Sequence, residues 1–146
     1  MCIVAAVFRC TFAHMGRKNR RIPNIEQMQL TDIGNKGKAV GRNNERVVFV
    51  TGGVPGDVVD VQVTKKRRSY LEGKVINVHT YSPDRVEAKC QYFGVCGGCK
   101  RQNLDYSKQL EYKEKEVREN LRKIGHVTPE EFHPILGSGQ QYMYRN

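Results

Sequence analysis

Short runs of apolar and β-branched residues, separated by glycine-rich turns, dominate residues 24–82 of the chain. The clearest run is DVVDVQVT, in which Val59, Val61 and Val63 alternate with polar residues. An alternation with a period of two is typical of a strand that buries one face. Related runs are EQMQLTDI, NKGKAVGR, RVVFVT and YLEGKVINV, and turn signals such as GGVPGD interrupt them. About five strands so short and so closely spaced favour a small closed barrel over an open sheet.

One helix is predicted after the barrel. Its apolar stripe repeats at intervals of three, four and seven residues and consists of Tyr106, Leu110, Val117, Leu121 and Ile124. Asp105 or Ser107 suits the N-cap, and Gly125 suits the residue that follows the helix. Three ion pairs at i,i+4 spacing are expected on the charged face: Glu111–Lys115, Glu114–Arg118 and Glu119–Lys123. The chain is therefore expected to be mainly β, an OB-like five-stranded barrel followed by one long α-helix.

The charge of the chain is strongly and unevenly positive. Lys and Arg number 25 against 15 Asp and Glu, which gives a net charge of +10. No acidic residue precedes Glu26, and KKRRSY at residues 65–70 is an uninterrupted basic cluster. Basic clusters beside aromatic residues and glycine turns suit a phosphate backbone, whose binding releases counterions. We therefore favour nucleic acid as the partner. The alternative is a solvated basic surface that binds no partner.

Two features bear on the compartment. No apolar run approaches the roughly 18 residues that a membrane span needs, and MCIVAAVF lacks the basic flank and cleavage pattern of a signal peptide. The chain has five cysteines, an odd number, and three of them crowd one loop, unlike a secreted disulfide framework. We therefore expect a cytoplasmic protein without a membrane partner.

The stretch CQYFGVCGGC brings Cys90, Cys96 and Cys99 together. Five and then two residues separate these cysteines, close to the C-x4-C-x2-C spacing of ferredoxins. The paired glycines would let backbone N–H groups approach cluster sulfurs where a β-carbon would crowd. This spacing favours an iron–sulfur cluster, although three thiolates are one ligand short.

Two alternatives to the cluster remain open at this point. A CxxC pair is half of a tetrahedral zinc site, and a fourth ligand would have to be His79, His126 or His133. The other alternative is three unligated thiols, although thiols on so open a loop would be prone to oxidation.

The residues also resemble a known family. The run TDIGNKGKAVGRNNERVVFVTGGVPGDVVDVQVTKKRRSYLEGKV resembles a TRAM domain, a small OB-like RNA-binding barrel. The run SPDRVEAKCQYFGVCGGCKRQNLDYSKQLEYKEKEVRENLRKIG is similar to the 4Fe–4S segment of bacterial 23S rRNA (uracil-5-)-methyltransferases of the RlmD type. The ending YMYRN is similar to the motif that leads into their central and catalytic domains. The resemblance extends from about Gln27 to Asn146.

This resemblance implies a cofactor and a reaction. Cys90, Cys96 and Cys99 would be the first three ligands of a 4Fe–4S cluster, and the fourth cysteine would lie beyond residue 146. The family uses S-adenosylmethionine to methylate C5 of a uridine, with a cysteine thiolate adding to C6 and a carboxylate removing the C5 proton. That machinery is expected in a Rossmann-like domain beyond residue 146, so no catalytic residue is assigned in this chain.

Three parts are expected along the chain. They are a basic, disordered arm over residues 1–23, the TRAM barrel over 24–82, and the cluster loop, helix and start of a truncated central domain over 83–146. The expected partner is RNA, in particular 23S rRNA, bound by a monomer. The alternative is a stand-alone, zinc-stabilised TRAM-type RNA-binding module without enzymatic activity.

Eight residues are predicted to contact RNA. The glycine-rich turn and the basic cluster supply Lys36, Lys38, Arg42, Lys65, Lys66, Arg67, Arg68 and Tyr70. The cations would hold phosphates, while Tyr70 or Phe93 would stack on an unpaired base.

Overall fold

The computed structural model describes residues 24–142. Its elements, in chain order, are β1 (Ile25–Ile33), a 3₁₀ turn (Asn35–Gly37), β2 (Ala39–Asn43), β3 (Arg46–Thr51), β4 (Val58–Lys66), β5 (Tyr70–Thr80) and α1 (Tyr106–Lys123). The five strands and the single long helix confirm the fold expected from the sequence. The arm expected over residues 1–23 lies outside the described residues.

The strands close into a barrel in the order β1-β2-β3-β5-β4. All neighbouring pairs are antiparallel except β3 and β5, which run parallel. Bulges interrupt the register between β1 and β4 and between β4 and β5, where the strands must bend to close the sheet. Closure leaves no unpaired edge strand in the barrel.

The barrel interior is filled by aliphatic side chains. The alternation predicted for β4 is confirmed, because Val59, Val61 and Val63 all point into the core. The buried cluster consists of Met28, Leu30, Ala39, Val48, Val50, Val59, Val61, Val63 and Leu71. Burial of these side chains, at roughly 1.5–3 kcal/mol for each large one, is the main force that stabilises the barrel.

A buried carboxylate joins the barrel to the segment that follows it. Asp57, in the turn before β4, is fully buried and accepts hydrogen bonds from the backbone N–H groups of Val54 at 2.8 Å and Ser82 at 2.9 Å. Arg85 adds an ion pair at 2.6 Å from Nη2 and a second hydrogen bond from Nε at 3.3 Å. The SPDR stretch, which leads from the barrel to the cysteine loop, is therefore anchored to the barrel.

The helix begins and ends where the sequence predicts. Asp105 is the N-cap and accepts from the backbone N–H of Ser107, and the N–H of Gly125 donates to the Asn120 carbonyl beyond the last turn. No residue of α1 is buried, and Val117 is 49% exposed, so the predicted apolar stripe is only partly covered by the described residues. α1 is also too polar to cross a bilayer.

Two of the three predicted helix ion pairs form, and one does not. Glu114–Arg118 and Glu119–Lys123 are both present. Lys115 instead reaches Asp32 on β1 at 2.5 Å, and Glu111 pairs with Lys108 at 2.8 Å. The prediction for Glu111–Lys115 is wrong because the helix lies beside the barrel, where a carboxylate from another element competes for the ammonium group.

The segment after the helix runs back along it without regular secondary structure. The guanidinium of Arg118 lies 3.7 Å from the Phe132 ring centroid, and the Ile135 backbone N–H donates to Glu114 at 3.3 Å. Further along, the Ser138 N–H donates to the Tyr106 hydroxyl at 2.7 Å. These contacts hold residues 132–138 against α1.

Candidate nucleic-acid interface and cysteine loop

The basic cluster consists of the last two residues of β4, Lys65 and Lys66, and of the exposed turn that follows; together they are called the β4–β5 turn. The backbone N–H of Arg67 donates to the Tyr70 carbonyl at 2.9 Å and closes this turn. The side chains of Lys65, Lys66, Arg67 and Arg68 are all exposed. The turn therefore presents four cations to solvent, where they can contact phosphates without first being desolvated.

The sheet register places Arg42 and Tyr70 on one row of the barrel. Arg42 pairs with Val47 on β3, and Val47 pairs with Tyr70 on β5. The Tyr70 ring meets Phe49 edge to face at 5.5 Å between centroids, and Tyr70 is only partly exposed. The ring is therefore fixed by packing, and its role as a stacking surface for a base stays a prediction.

Glu72 lies where the two predicted basic regions meet. The Lys38 ammonium lies 2.7 Å from the Glu72 carboxylate. This hydrogen bond lowers the pKa of Glu72, and the positive charges of Lys65 and Arg67 lower it further. Lys38 from the β1–β2 turn therefore contacts this carboxylate, and the charges of Lys65 and Arg67 act on it from the β4–β5 turn. Lys38 and Glu72 are thus neighbours in the structure although they are about thirty positions apart in the chain. The three cations here outnumber the one carboxylate.

The basic surface continues into the cysteine loop. Lys36 is exposed and adopts a left-handed backbone at φ 63° in the turn before β2. Gly37, at φ 71°, packs so tightly that a β-carbon there would lie 2.8 Å from Cβ of Lys100 and 3.4 Å from Cγ of Arg101. Lys100 is exposed and was not predicted as a site residue. The KR pair directly after CGGC was the available signal, but only the tertiary contact places it beside the turn that carries Lys36.

Replacing Gly37 with alanine is expected to separate the cysteine loop from the barrel turn. The β-carbon would be strained at positive φ and would collide with Lys100. We expect a loss of about 1–3 kcal/mol in the free energy of unfolding, measured by urea denaturation. Gly52→Ala is the matched control, because Gly52 also has positive φ but a β-carbon there would have nothing within 4 Å of it. Equal losses in the two variants would show that the contact with Lys100 contributes nothing.

The cysteine loop is a series of tight turns. The Tyr92 carbonyl accepts from the N–H groups of both Val95 and Cys96, while the Cys90 carbonyl accepts from Phe93. Gly94 and Gly97 have φ of 84° and 74°, conformations that side chains rarely adopt. The two glycines therefore let the chain reverse direction between the cysteines.

Gln102 connects the two ends of this loop. Its Oε1 accepts from the backbone N–H of Cys90 at 3.0 Å, and its Nε2 lies 3.9 Å from Sγ of Cys99. This contact holds the Gln102 side chain against the last cysteine of the loop. Gln102 was not predicted from the sequence, because its role depends on the loop folding back on itself.

Cysteine thiolates are the usual ligands of iron–sulfur clusters. The three cysteines of this loop do not, however, converge on one point in the structure. Cys90, Cys96 and Cys99 are free and exposed. Over residues 24–142, no three His, Cys, Asp or Glu side chains converge as a metal site. His79 lies 2.7 Å from Asp60, and His133 lies 3.7 Å from Glu131, so both imidazoles have carboxylate neighbours. Three thiols are the kind of donor that an iron–sulfur cluster takes, and the role of these cysteines as ligands stays a prediction.

The barrel also matches a family model. The model is that of the TRAM domain, and it matches residues 28–76. These residues form a TRAM domain. The TRAM domain therefore includes Lys36, Lys38, Arg42 and the whole basic β4–β5 turn.

Comparison with curated proteins extends the similarity beyond the TRAM domain. An RNA methyltransferase of Bacteroides thetaiotaomicron is 49% identical over 76% of this chain, and one of Porphyromonas gingivalis is 43% identical over 82%. A protein of Alkalilimnicola ehrlichii named 23S rRNA (uracil(1939)-C(5))-methyltransferase RlmD is 36% identical over 88%. The resemblance to RlmD-type methyltransferases is confirmed. The chain spans 24%, 26% and 29% of the lengths of these three relatives.

Proposed function

We propose that this chain is the RNA-binding and iron–sulfur part of an S-adenosylmethionine-dependent 23S rRNA (uracil-5-)-methyltransferase that forms 5-methyluridine. The observation that carries the proposal is the gathering of Lys38, Lys65 and Arg67 around Glu72 on a TRAM domain. The names of the relatives supply the reaction and the 23S rRNA substrate. In this proposal RNA lies across the β4–β5 turn and the β1–β2 turn, with Arg42 and Tyr70 between them.

The proposal assigns no catalytic residue to this chain. The nucleophilic cysteine, the base and the S-adenosylmethionine site belong to a further domain of the whole enzyme. The residues described here would bind and orient the RNA so that a uridine reaches that domain. Phosphate contacts from the exposed lysines and arginines set the register of the RNA without reading its sequence.

The three loop cysteines would be ligands of a 4Fe–4S cluster. Gln102 would orient the loop, since it contacts the backbone of Cys90 and the sulfur of Cys99. The cluster would supply a cross-link between this loop and a distant part of the enzyme. Such a cross-link stabilises the fold and has no part in methyl transfer.

In this proposal the chain has three parts. Residues 1–23 would be a basic arm, residues 24–82 the RNA-binding barrel, and residues 83–146 the cluster segment that leads into a central domain. The enzyme would act as a monomer in the cytoplasm, where 23S rRNA is found.

Replacing Cys96 with serine is expected to remove most of the iron and to destabilise the loop, because a hydroxyl is a poor ligand for an iron–sulfur cluster. The measurement is iron, zinc and acid-labile sulfide analysis after anaerobic purification, together with an absorption spectrum. Cys10→Ser is the control, since it removes a thiol outside the loop and should leave the iron content unchanged. Full iron content in Cys96→Ser would contradict the ligand assignment. One tightly bound zinc and no sulfide in the unmodified protein would instead support a zinc-stabilised RNA-binding module.

A further inference from the structure

An open groove of about 500 Å³ separates the end of the barrel from the cysteine loop. Three stretches of chain form it: the turn after β3, the segment that follows β5, and the cysteine loop. Its lining includes Tyr81, Arg85, Glu87, Phe93 and Asn103. The groove is distinct from the basic turns already described, because none of their residues lines it; of the residues with a predicted RNA contact, Phe93 alone does.

Tyr81 offers an aromatic surface in this groove. The residue is 66% exposed, although the Arg85 guanidinium lies 5.5 Å from its ring centroid. Arg85 is itself held by the buried carboxylate of Asp57. The ring is thus braced from one side by a fixed cation, while most of its surface stays open to solvent. Exposed aromatic rings held in this way are typical stacking surfaces for nucleobases.

Asn103 places an unused amide in the same groove. The residue is 7% exposed, and its backbone carbonyl accepts from the Val86 N–H at 3.1 Å. Its side-chain amide, however, makes no hydrogen bond to any other residue between positions 24 and 142. No buried side-chain nitrogen or oxygen among the described residues lacks a partner, so the unpaired amide atoms of Asn103 are open to the solvent of the groove and a ligand can reach them. This amide carries both a donor and an acceptor, which is the combination that the edge of a nucleobase presents.

The charges in the groove favour a base over a phosphate. The Arg85 cation is neutralised by Asp57, which lies 2.6 Å away. Glu87 adds a carboxylate to the lining and would repel a phosphate. The neighbouring cysteine loop carries Lys100, so cations for the backbone are available outside the groove.

We propose that this groove binds one unpaired RNA base, with the ring of Tyr81 or Phe93 against its face and the Asn103 amide at its edge. The inference rests on the proposed RNA-binding function and adds a site to it. Single-stranded RNA is recognised in this way, because an unpaired base can leave its stack and expose both its faces and its edge.

The test compares Tyr81→Leu with Tyr81→Phe in the full 146-residue chain. Binding of fluorescein-labelled single-stranded RNA dodecamers is followed by fluorescence anisotropy between about 50 and 200 mM salt. Tyr81→Leu is expected to weaken binding about tenfold, whereas Tyr81→Phe keeps the ring and the affinity. The dependence of the affinity on salt should be the same in all three proteins, because no phosphate contact is removed. In the unmodified protein, 4-thiouridine in the RNA should cross-link to the groove.

The outcomes separate this inference from the proposed function. If the unmodified chain binds RNA and Tyr81→Leu binds equally well, the groove does not hold a base, while the RNA-binding proposal stands. If a change in affinity comes with a smaller salt dependence, the effect arises from phosphate contacts and the inference is wrong. If the unmodified chain binds no RNA, the proposed RNA-binding function is wrong, and the inference about the groove is wrong with it. Cross-links confined to the β4–β5 turn would also overturn the inference.

Discussion

Replacing Asp57 with alanine is expected to lower the free energy of unfolding by about 3–5 kcal/mol. The carboxylate is fully buried, and its loss leaves two backbone N–H groups without their acceptor and the Arg85 guanidinium without its carboxylate partner. Removal of one partner from a buried ion pair leaves an uncompensated charge, which is more damaging than loss of an exposed pair. The measurement is urea denaturation at neutral pH, followed by far-ultraviolet circular dichroism.

A decrease of this size would remove a large fraction of the free energy of unfolding of a small domain. Glu45→Ala is the matched control, since it removes an exposed carboxylate from the barrel and should change stability by less than about 0.5 kcal/mol. A similar small effect in Asp57→Ala would mean that the junction between barrel and cysteine loop does not depend on this carboxylate. Tyr81 should also lose its brace in Asp57→Ala, because Arg85 connects the two residues.

Neutralising the β4–β5 turn is expected to have the largest effect on RNA binding. The variant replaces four exposed cations with alanine: Lys65, Lys66, Arg67 and Arg68. Each lost phosphate contact should lower the slope of log affinity against log salt by about 0.7 for single-stranded RNA. Together the four substitutions should weaken binding on the order of 100-fold near 0.15 M salt. Fluorescence anisotropy over a salt series measures both quantities.

The control removes the same charge from the helix. It replaces four cations of α1 with alanine: Lys108, Lys113, Arg122 and Lys123. Because overall charge alone steers RNA towards the protein, this variant is expected to lose some affinity, but far less than the turn variant. Equal losses in the two variants would show that net charge, and not the TRAM surface, determines binding.

The local pattern was sufficient to predict the strands and the helix. Alternation in DVVDVQVT and the turn signal GGVPGD locate β4, and the spacing from Tyr106 to Ile124 locates α1. These predictions succeeded because a strand or helix that buries one face must repeat at its own period. The basic character of the β4–β5 turn was equally visible, since charges on an exposed turn need no tertiary partner.

The contacts between distant residues could not be predicted in the same way. Glu72 was not singled out, although it lies among Lys38, Lys65 and Arg67. Lys115 was assigned to Glu111 and instead pairs with Asp32. Each of these contacts depends on the register of closed strands or on where the helix lies, and neither is encoded in local spacing.

The strands and the helix, the positive charge and the three cysteines of the loop could all be recognised from the sequence. Each of these depends on residues close together in the chain, where period, turn chemistry and composition act directly. Three arrangements appear only in the folded chain: Asp57 binds Ser82 and Arg85, Gly37 lies close to Lys100, and Tyr81 and Asn103 line one groove. These contacts join segments far apart in the chain, which meet only when the barrel has closed and the segment after β5 has folded back against it.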